Sequence, residues 1–322
     1  MLYTPRVTAV ETPRDEACPG REAEPSRAAR DSRAAKGSRA ADIERLLAAA
    51  LEEDLGPGDV TTEAIVPEGA RARARLIAKA SGVLAGRELF VRVFERLDPS
   101  LRVQRRIEDG ASLTDGAVVL ELEGRARALL VGERTALNLV QHLSGIATLT
   151  ARFVRAAQPV RVLDTRKTTP GLRALEKYAV ACGGGENHRF GLFDQAMLKN
   201  NHLDLARADL GTLLARLRAR HGAELVVTAE ARDAREALAA IAGDADVVLL
   251  DNFAPAALHE LCPRLRAAAV GRARPLQLEA SGGITLENAA EYARCGVDRL
   301  SIGALTHSAP ALDLALRMEP VP

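Results

Sequence analysis

The chain of 322 residues carries 44 basic and 43 acidic side chains, a net charge of +1, and is 47% hydrophobic. That apolar content supports a substantial core and excludes wholesale disorder, and the length admits one large domain or two of ordinary size. The charge balance excludes a nucleic-acid or membrane-surface role for the chain as a whole, so any anion-binding function must come from a local cluster.

Residues 1–40 are rich in Ala, Arg, Glu, Pro and Ser, lack apolar periodicity, and read as a disordered extension. Their six acidic residues argue against a transit peptide, and no apolar signal segment directs export. From Ala41 the pattern changes: Ile43, Leu46, Leu47 and Leu51 recur at helical spacing until Asp54-Leu-Gly-Pro-Gly58 stops the helix. Alternation over 71–80 and the apolar run 117–123 between Gly116 and Gly124 predict strands. A long helix follows from Gly132 to Ala157, with Leu137, Leu139, Val140, Leu143 and Ile146 on its buried face. Helices beside a small antiparallel sheet make 41–150 an α+β domain.

Residues 151–322 change rhythm to alternating strand and helix. Strand-like runs are 160–163, 225–228, 247–250, 276–278 and 300–302, with amphipathic helices such as 205–220 and 232–242 between them. Repeated units of this kind imply a parallel sheet, and no GxGxxG follows the first strand, which disfavours a dinucleotide-binding sheet. Polar, chargeable or glycine residues follow every strand: Asp164-Thr-Arg-Lys167, Glu230, Asp251-Asn252, Glu279-Ala-Ser-Gly-Gly283 and Gly303. In an α/β barrel that rim is where active sites are built, so 151–322 reads as a catalytic α/β barrel. The four scattered cysteines (Cys18, Cys182, Cys262, Cys295) show no CxxC spacing, which fits a reducing cytoplasm and excludes a zinc or disulfide scaffold. No apolar run approaches the roughly 20 residues a membrane helix needs.

The chemistry concentrates in 164–202, DTRKTTPGLRALEKYAVACGGGENHRFGLFDQAMLKNNH. The chain has only five lysines, Lys36, Lys79, Lys167, Lys177 and Lys199, and the last three fall here although arginine supplies nearly all its other basic positions. Lysine and arginine are not interchangeable where geometry matters. With Arg166, Lys167, His188, Arg189 and Lys199 in one glycine-containing region, the residues ask for ligands bearing several negative charges. From residue type alone, Glu230 and Asp251 are either caps of the following helices or carboxylates facing a cation.

This stretch closely resembles the signature of the quinolinate phosphoribosyltransferases. Supporting segments are EEDLGPGDVTT at 52–62, Gly132-Glu-Arg-Thr-Ala-Leu-Asn138, Val248-Leu-Leu-Asp-Asn252, Glu279-Ala-Ser-Gly-Gly283 and Ser301-Ile-Gly303, so the resemblance covers about 41–318. It implies an α+β sandwich followed by an α/β barrel of fewer than eight strands. It implies transfer of phosphoribosyl from phosphoribosyl pyrophosphate to quinolinate with loss of carbon dioxide, helped by Mg2+ and no organic cofactor. It also implies a homodimer in which one subunit's first domain closes its partner's barrel. By motif, Arg134, Arg166, His188, Arg189 and Lys199 would hold quinolinate's carboxylates and nearby phosphate. Lys167 and Lys199 would meet phosphoribosyl pyrophosphate, with Glu230 and Asp251 facing its ribose and magnesium; these four would form the catalytic set. Ser281, Gly282 and Gly303 would take the 5′-phosphate.

Two departures stand out: Asn200 replaces the family's usual acidic residue, and Ala229 and Ala231 replace bulkier flanks of Glu230. Rival expectations are a paralogous or nicotinate-using phosphoribosyltransferase, a non-catalytic barrel that has lost its cations, and an aldolase-like barrel with a lysine in an apolar pocket.

Overall fold

The computed structural model describes residues 27–321. The chain divides at Arg45/Leu46 into a short N-terminal unit and a unit holding all that follows. Helix α1 runs from Arg27 to Leu55, starting well before the predicted Ala41. Alanine and arginine are strong helix formers, so this stretch forms a helix without the apolar stripe on which the prediction relied. The expectation of disorder for 1–26 lies outside the described residues.

After α2 (Val60–Ile65), capped by Asp59 accepting from the Thr61 and Thr62 amides, come β1 (Arg71–Ala78), β2 (Gly82–Val83), α3 (Arg87–Leu97), β3 (Arg102–Arg105), β4 (Ser112–Leu113), β5 (Val118–Arg125) and α4 (Ala126–Ala157). In β1, Ala72, Ala74, Leu76 and Ala78 face inward, while Arg73 and Arg75 reach Glu123 at 3.0 Å and Glu319 at 2.8 Å on neighbouring strands. The small inward residues let the sheet lie close to α4, and Phe90 and Phe94 of α3 fill the layer edge to face at 5.1 Å.

The second half contains β6 (Arg161–Leu163), α5 (Arg173–Cys182), β7 (Ala196–Leu198), α6 (Asn200–Ala206), α7 (Leu210–His221), β8 (Val227–Ala231), α8 (Ala234–Ala242), β9 (Val247–Asp251), α9 (Pro255–Ala268), β10 (Gln277–Ser281), α10 (Ala289–Ala293), β11 (Arg299–Ser301), α11 (Ala304–His307) and β12 (Leu314–Pro320). Strands β6-β11-β10-β9-β8-β7 form one parallel sheet of six in that order. Its inner strands are buried on both faces, as strands covered by helices outside and packed side chains inside must be. Glu186 bridges to β6 beyond the first edge, its N–H donating to Val162 O at 2.8 Å. All strands being parallel, their carboxyl ends open on one rim.

Two predicted boundaries move. Residue 150 falls inside α4, which serves both layers, and the C-terminal strand β12 leaves the barrel to pair antiparallel with β1 in the order β12-β1-β5-β3. The predicted helix 205–220 is two helices, α6 and α7, parted at Arg207 in a left-handed conformation with φ 49° and at the Asp209 cap.

Candidate active site

A cavity of about 710 Å³ opens at the carboxyl rim of the barrel, and all but one of the predicted site residues line it. The loop after β6 brings Arg166 and Lys167, the segment before β7 brings His188 and Arg189, and Lys199 directly follows β7. Glu230 lies near the end of β8, Asp251 and Ser281 end β9 and β10, and Gly282 and Gly303 follow β10 and β11. Arg134 is the exception. It is exposed on α4 and does not reach the cavity of its own chain.

The cationic loops are held from beneath by a buried pair. Asp164 Oδ1 accepts from Lys177 Nζ at 2.5 Å and from the His188 N–H at 2.8 Å, and Lys177 Nζ also donates to His188 O at 2.9 Å. Burial pushes the Asp164 carboxyl up and the Lys177 amine down, and their mutual attraction opposes both shifts. Lys177 is therefore a scaffold lysine, whereas Lys167 and Lys199 point into the cavity. The Lys167 carbonyl accepts from Thr306 Oγ1 at 2.7 Å, tying the first cationic loop to α11.

Lys199 Nζ donates to Glu230 Oε2 at 3.0 Å, and the following helices α8 and α9 have their N-caps at Asp233 and Ala254, so neither Glu230 nor Asp251 is a helix cap. An apolar Schiff-base pocket is excluded, because Lys199 shares its wall with a carboxylate and other cations. The Asp251 carboxyl is pushed above the usual carboxylate range by burial and then by the charge of Glu230, against the pull of Lys199. The carboxylates of Glu230 and Asp251 form a hard oxygen donor pair suited to a divalent cation. Among the described residues no group of three or more His, Cys, Asp or Glu side chains could hold a metal, so such an ion would take its remaining ligands from substrate oxygens and water. Opposite this pair, burial and then the nearby Arg166 charge depress the Arg189 guanidinium. One wall is thus crowded with like positive charge, which an anionic ligand relieves.

The floor between β10 and β11 is a close-approach cradle. Gly282 has φ 91°, and a Cβ there would lie 2.1 Å from Asn252 Oδ1. At Gly303 a Cβ would lie 2.9 Å from Lys167 Cδ and 3.1 Å from His307 Nε2. Gly282 excludes a side chain, Gly303 admits one only if Lys167 and His307 shift, and without a Cβ both let a ligand oxygen approach the backbone closely.

Family models named "Quinolinate phosphoribosyl transferase, N-terminal domain" and "C-terminal domain" match residues 59–144 and 146–317. This chain belongs to the quinolinate phosphoribosyltransferase family. It is 44% identical over 274 residues to the nicotinate-nucleotide pyrophosphorylase [carboxylating] of Mycobacterium leprae, covering 83% of this chain and 94% of that one. A probable enzyme of the same name from Bacillus subtilis is 42% identical over 85% of this chain and 92% of its own. The solved NadC of Streptococcus pyogenes superposes with a TM-score of 0.81 at 38% identity, over 87% of this chain and 97% of that one.

The cavity is also lined by Thr165, Asn252, Glu279 and His307, of which the first three stand in the signature segments and His307 outside them, and to none of which the motif assigned a role. Asn252 carried a legible signal, since its φ of 59° suits asparagine among non-glycine residues, and its Nδ2 donates to Asp251 Oδ2 at 2.9 Å. Glu279, expected on the rim after a strand at 276–278, is instead fully buried in the middle of β10, which runs on to Ser281. His202 caps α6 by accepting the Lys199 N–H at 2.8 Å. Asn200 opens α6 with a buried Oδ1 that has no hydrogen-bond partner among the described residues.

Proposed function

We propose that this enzyme joins quinolinate to phosphoribosyl pyrophosphate, releasing pyrophosphate and carbon dioxide and leaving nicotinate mononucleotide. The observation that carries this reading is one cavity with Arg166, Lys167, Arg189 and Lys199 facing the carboxylates Glu230 and Asp251. A dicarboxylate and a pyrophosphate together demand that density of cations, and a ribosyl centre acquiring positive charge demands the carboxylates.

Arg166, Arg189 and Lys199 hold the two carboxylates and turn the pyridine nitrogen toward C1′ of the ribose. As the C1′–oxygen bond to pyrophosphate breaks, Glu230 and Asp251 offset the charge developing at C1′, and Lys167 accompanies the departing oxygens. Glu230 and Asp251 would hold a magnesium ion, which supplies neutralisation of the pyrophosphate charge. The Gly282 and Gly303 backbone and Ser281 seat the 5′-phosphate. Once alkylated, the ring nitrogen is cationic. The bond to the 2-carboxylate then breaks, carbon dioxide leaves, its electron pair stays at C2 beside the cationic nitrogen, and C2 takes a proton. A dry cavity strengthens each of these interactions.

The exposed Arg134, standing outside its own cavity, supports a homodimer in which α4 of one copy completes the site of the other. The described cysteines Cys182, Cys262 and Cys295 are free thiols, which supports a cytoplasmic enzyme. The test is substrate choice: quinolinate should be consumed with phosphoribosyl pyrophosphate, and nicotinate, which lacks the second carboxylate, should be a poor substrate by at least about a hundredfold in kcat/KM. Equal use of nicotinate would refute the dicarboxylate reading.

A further inference from the structure

His188 is a cavity residue with Nδ1 hydrogen-bonded and Nε2 buried against a carboxylate. Its Nδ1 accepts the Arg189 N–H at 2.7 Å and so carries no hydrogen in this arrangement. A neutral imidazole must then place its hydrogen on Nε2. Among the described residues Nε2 makes no close hydrogen bond, and it faces Glu279 Oε1 at 3.4 Å. Oε1 is likewise buried without a close hydrogen bond among the described residues, while Glu279 Oε2 accepts from Arg299 Nε at 2.7 Å. Arg299 is fixed in turn by Gln277, whose Oε1 accepts from its NH1 at 3.0 Å. Glu279 is fully buried, yet it borders the cavity.

We propose that Glu279 is a positioning residue of the active site: its Oε1 selects the Nε2–H tautomer of His188, and through His188 Nδ1 it fixes the backbone of Arg189. A line of contacts, Arg299 to Glu279 to His188 to the Arg189 amide, runs from the barrel interior to a cation that faces the carboxylates. His188 on this account holds the wall in shape and spends neither nitrogen on the substrate. Burial alone would raise the Glu279 carboxyl, but the His188 ring and then the Arg299 charge outweigh it and hold it below its ordinary range, as an acceptor requires. This inference rests on the cavity being the quinolinate site.

The test uses two variants of the full chain and two readouts. Both variants also carry Arg299→Met, so that no unpaired guanidinium stays buried. With Glu279→Gln the side chain keeps a carbonyl oxygen for Nε2–H; with Glu279→Met it keeps none. Nitrogen-15 NMR of the histidine rings in ligand-free protein should show His188 with hydrogen on Nε2 in wild type and in the Gln variant. The Met variant should lose that pattern. Misplacing a contact by about an ångström costs up to roughly a hundredfold. The Met variant should therefore raise the KM for quinolinate by about tenfold to a hundredfold, with the KM for phosphoribosyl pyrophosphate unchanged and the Gln variant close to wild type. A folded Met variant with the wild-type tautomer and quinolinate KM overturns the proposal, as does the Gln variant behaving like the Met variant. A wild-type enzyme that ignores quinolinate refutes the site assignment instead, and leaves the tautomer measurement standing.

Discussion

Replacing Gly282 by alanine tests the phosphate cradle most sharply. The residue sits at φ 91°, where a side chain costs about 1–2 kcal/mol. The new methyl would also lie 2.1 Å from Asn252 Oδ1 and 2.7 Å from its Cγ, so the Asn252 side chain has to turn away. Turning it breaks the 2.9 Å bond from Nδ2 to the Asp251 carboxylate, an interaction with a charged group worth about 1.5–3 kcal/mol. Gly283 is the internal control: its φ of 64° carries similar strain, but a Cβ there meets nothing within 4 Å. The difference between the two variants is the displaced Asn252, so Gly282→Ala should be weaker than Gly283→Ala by roughly ten- to a hundredfold. The assay is kcat/KM for phosphoribosyl pyrophosphate alongside thermal unfolding of both variants. Equal losses from both substitutions would refute the reasoning, because backbone strain alone would then explain them.

Lys199→Arg keeps the charge but replaces a compact ammonium bonded to Glu230 by a planar fork, and should lower kcat/KM by at least about tenfold in steady-state assays. Arg134→Ala and Lys199→Ala homodimers should each be nearly inactive, while subunit exchange between them should restore about a quarter of wild-type activity, half the dimers having one intact site. Verified heterodimers that stay inactive would place Arg134 outside the partner's site. Asp98, almost fully buried, accepts the Arg125 N–H at 2.7 Å and the Ser100 hydroxyl at 2.7 Å; these bonds outweigh burial and hold its carboxyl at about 2, against an ordinary 3.8. A depressed carboxylate stabilises the fold above its unfolded pKa and loses that contribution as pH falls through the folded value. Asp98→Asn should therefore cost about 2 kcal/mol in denaturant unfolding near pH 6, and the gap to wild type should narrow as pH drops from 3.8 towards 2.

The barrel was legible in sequence wherever a strand is long and buried on both faces, as in β8 and β9. Strand β7 was not: Ala196-Met197-Leu198 lies within the dense polar segment and lacks the β-branched neighbours (Val160, Val162, Ile302) that marked the equally short β6 and β11, so it reveals itself only by pairing with β8. The return of β12 to the first sheet was invisible for a different reason. Its pairing partner β1 lies at the other end of the chain, and no local pattern encodes a contact at that separation. The site was legible because its residues cluster at strand ends and in one dense segment. What the sequence pattern could not separate was role within that cluster. Lys177 looks like Lys167 and Lys199 until its burial against Asp164 is seen, and Glu279 looks like any other rim carboxylate until its burial against His188 is seen.

The most direct measurement of the central claim follows carbon. Quinolinate labelled in its 2-carboxyl group is incubated with the purified enzyme, phosphoribosyl pyrophosphate and Mg2+, and the carbon dioxide, pyrophosphate and nucleotide are quantified together. One labelled carbon dioxide and one pyrophosphate for each unlabelled nicotinate mononucleotide is the result the account predicts. Label retained in a dicarboxylated nucleotide, or no pyrophosphate released in the presence of quinolinate, would contradict it.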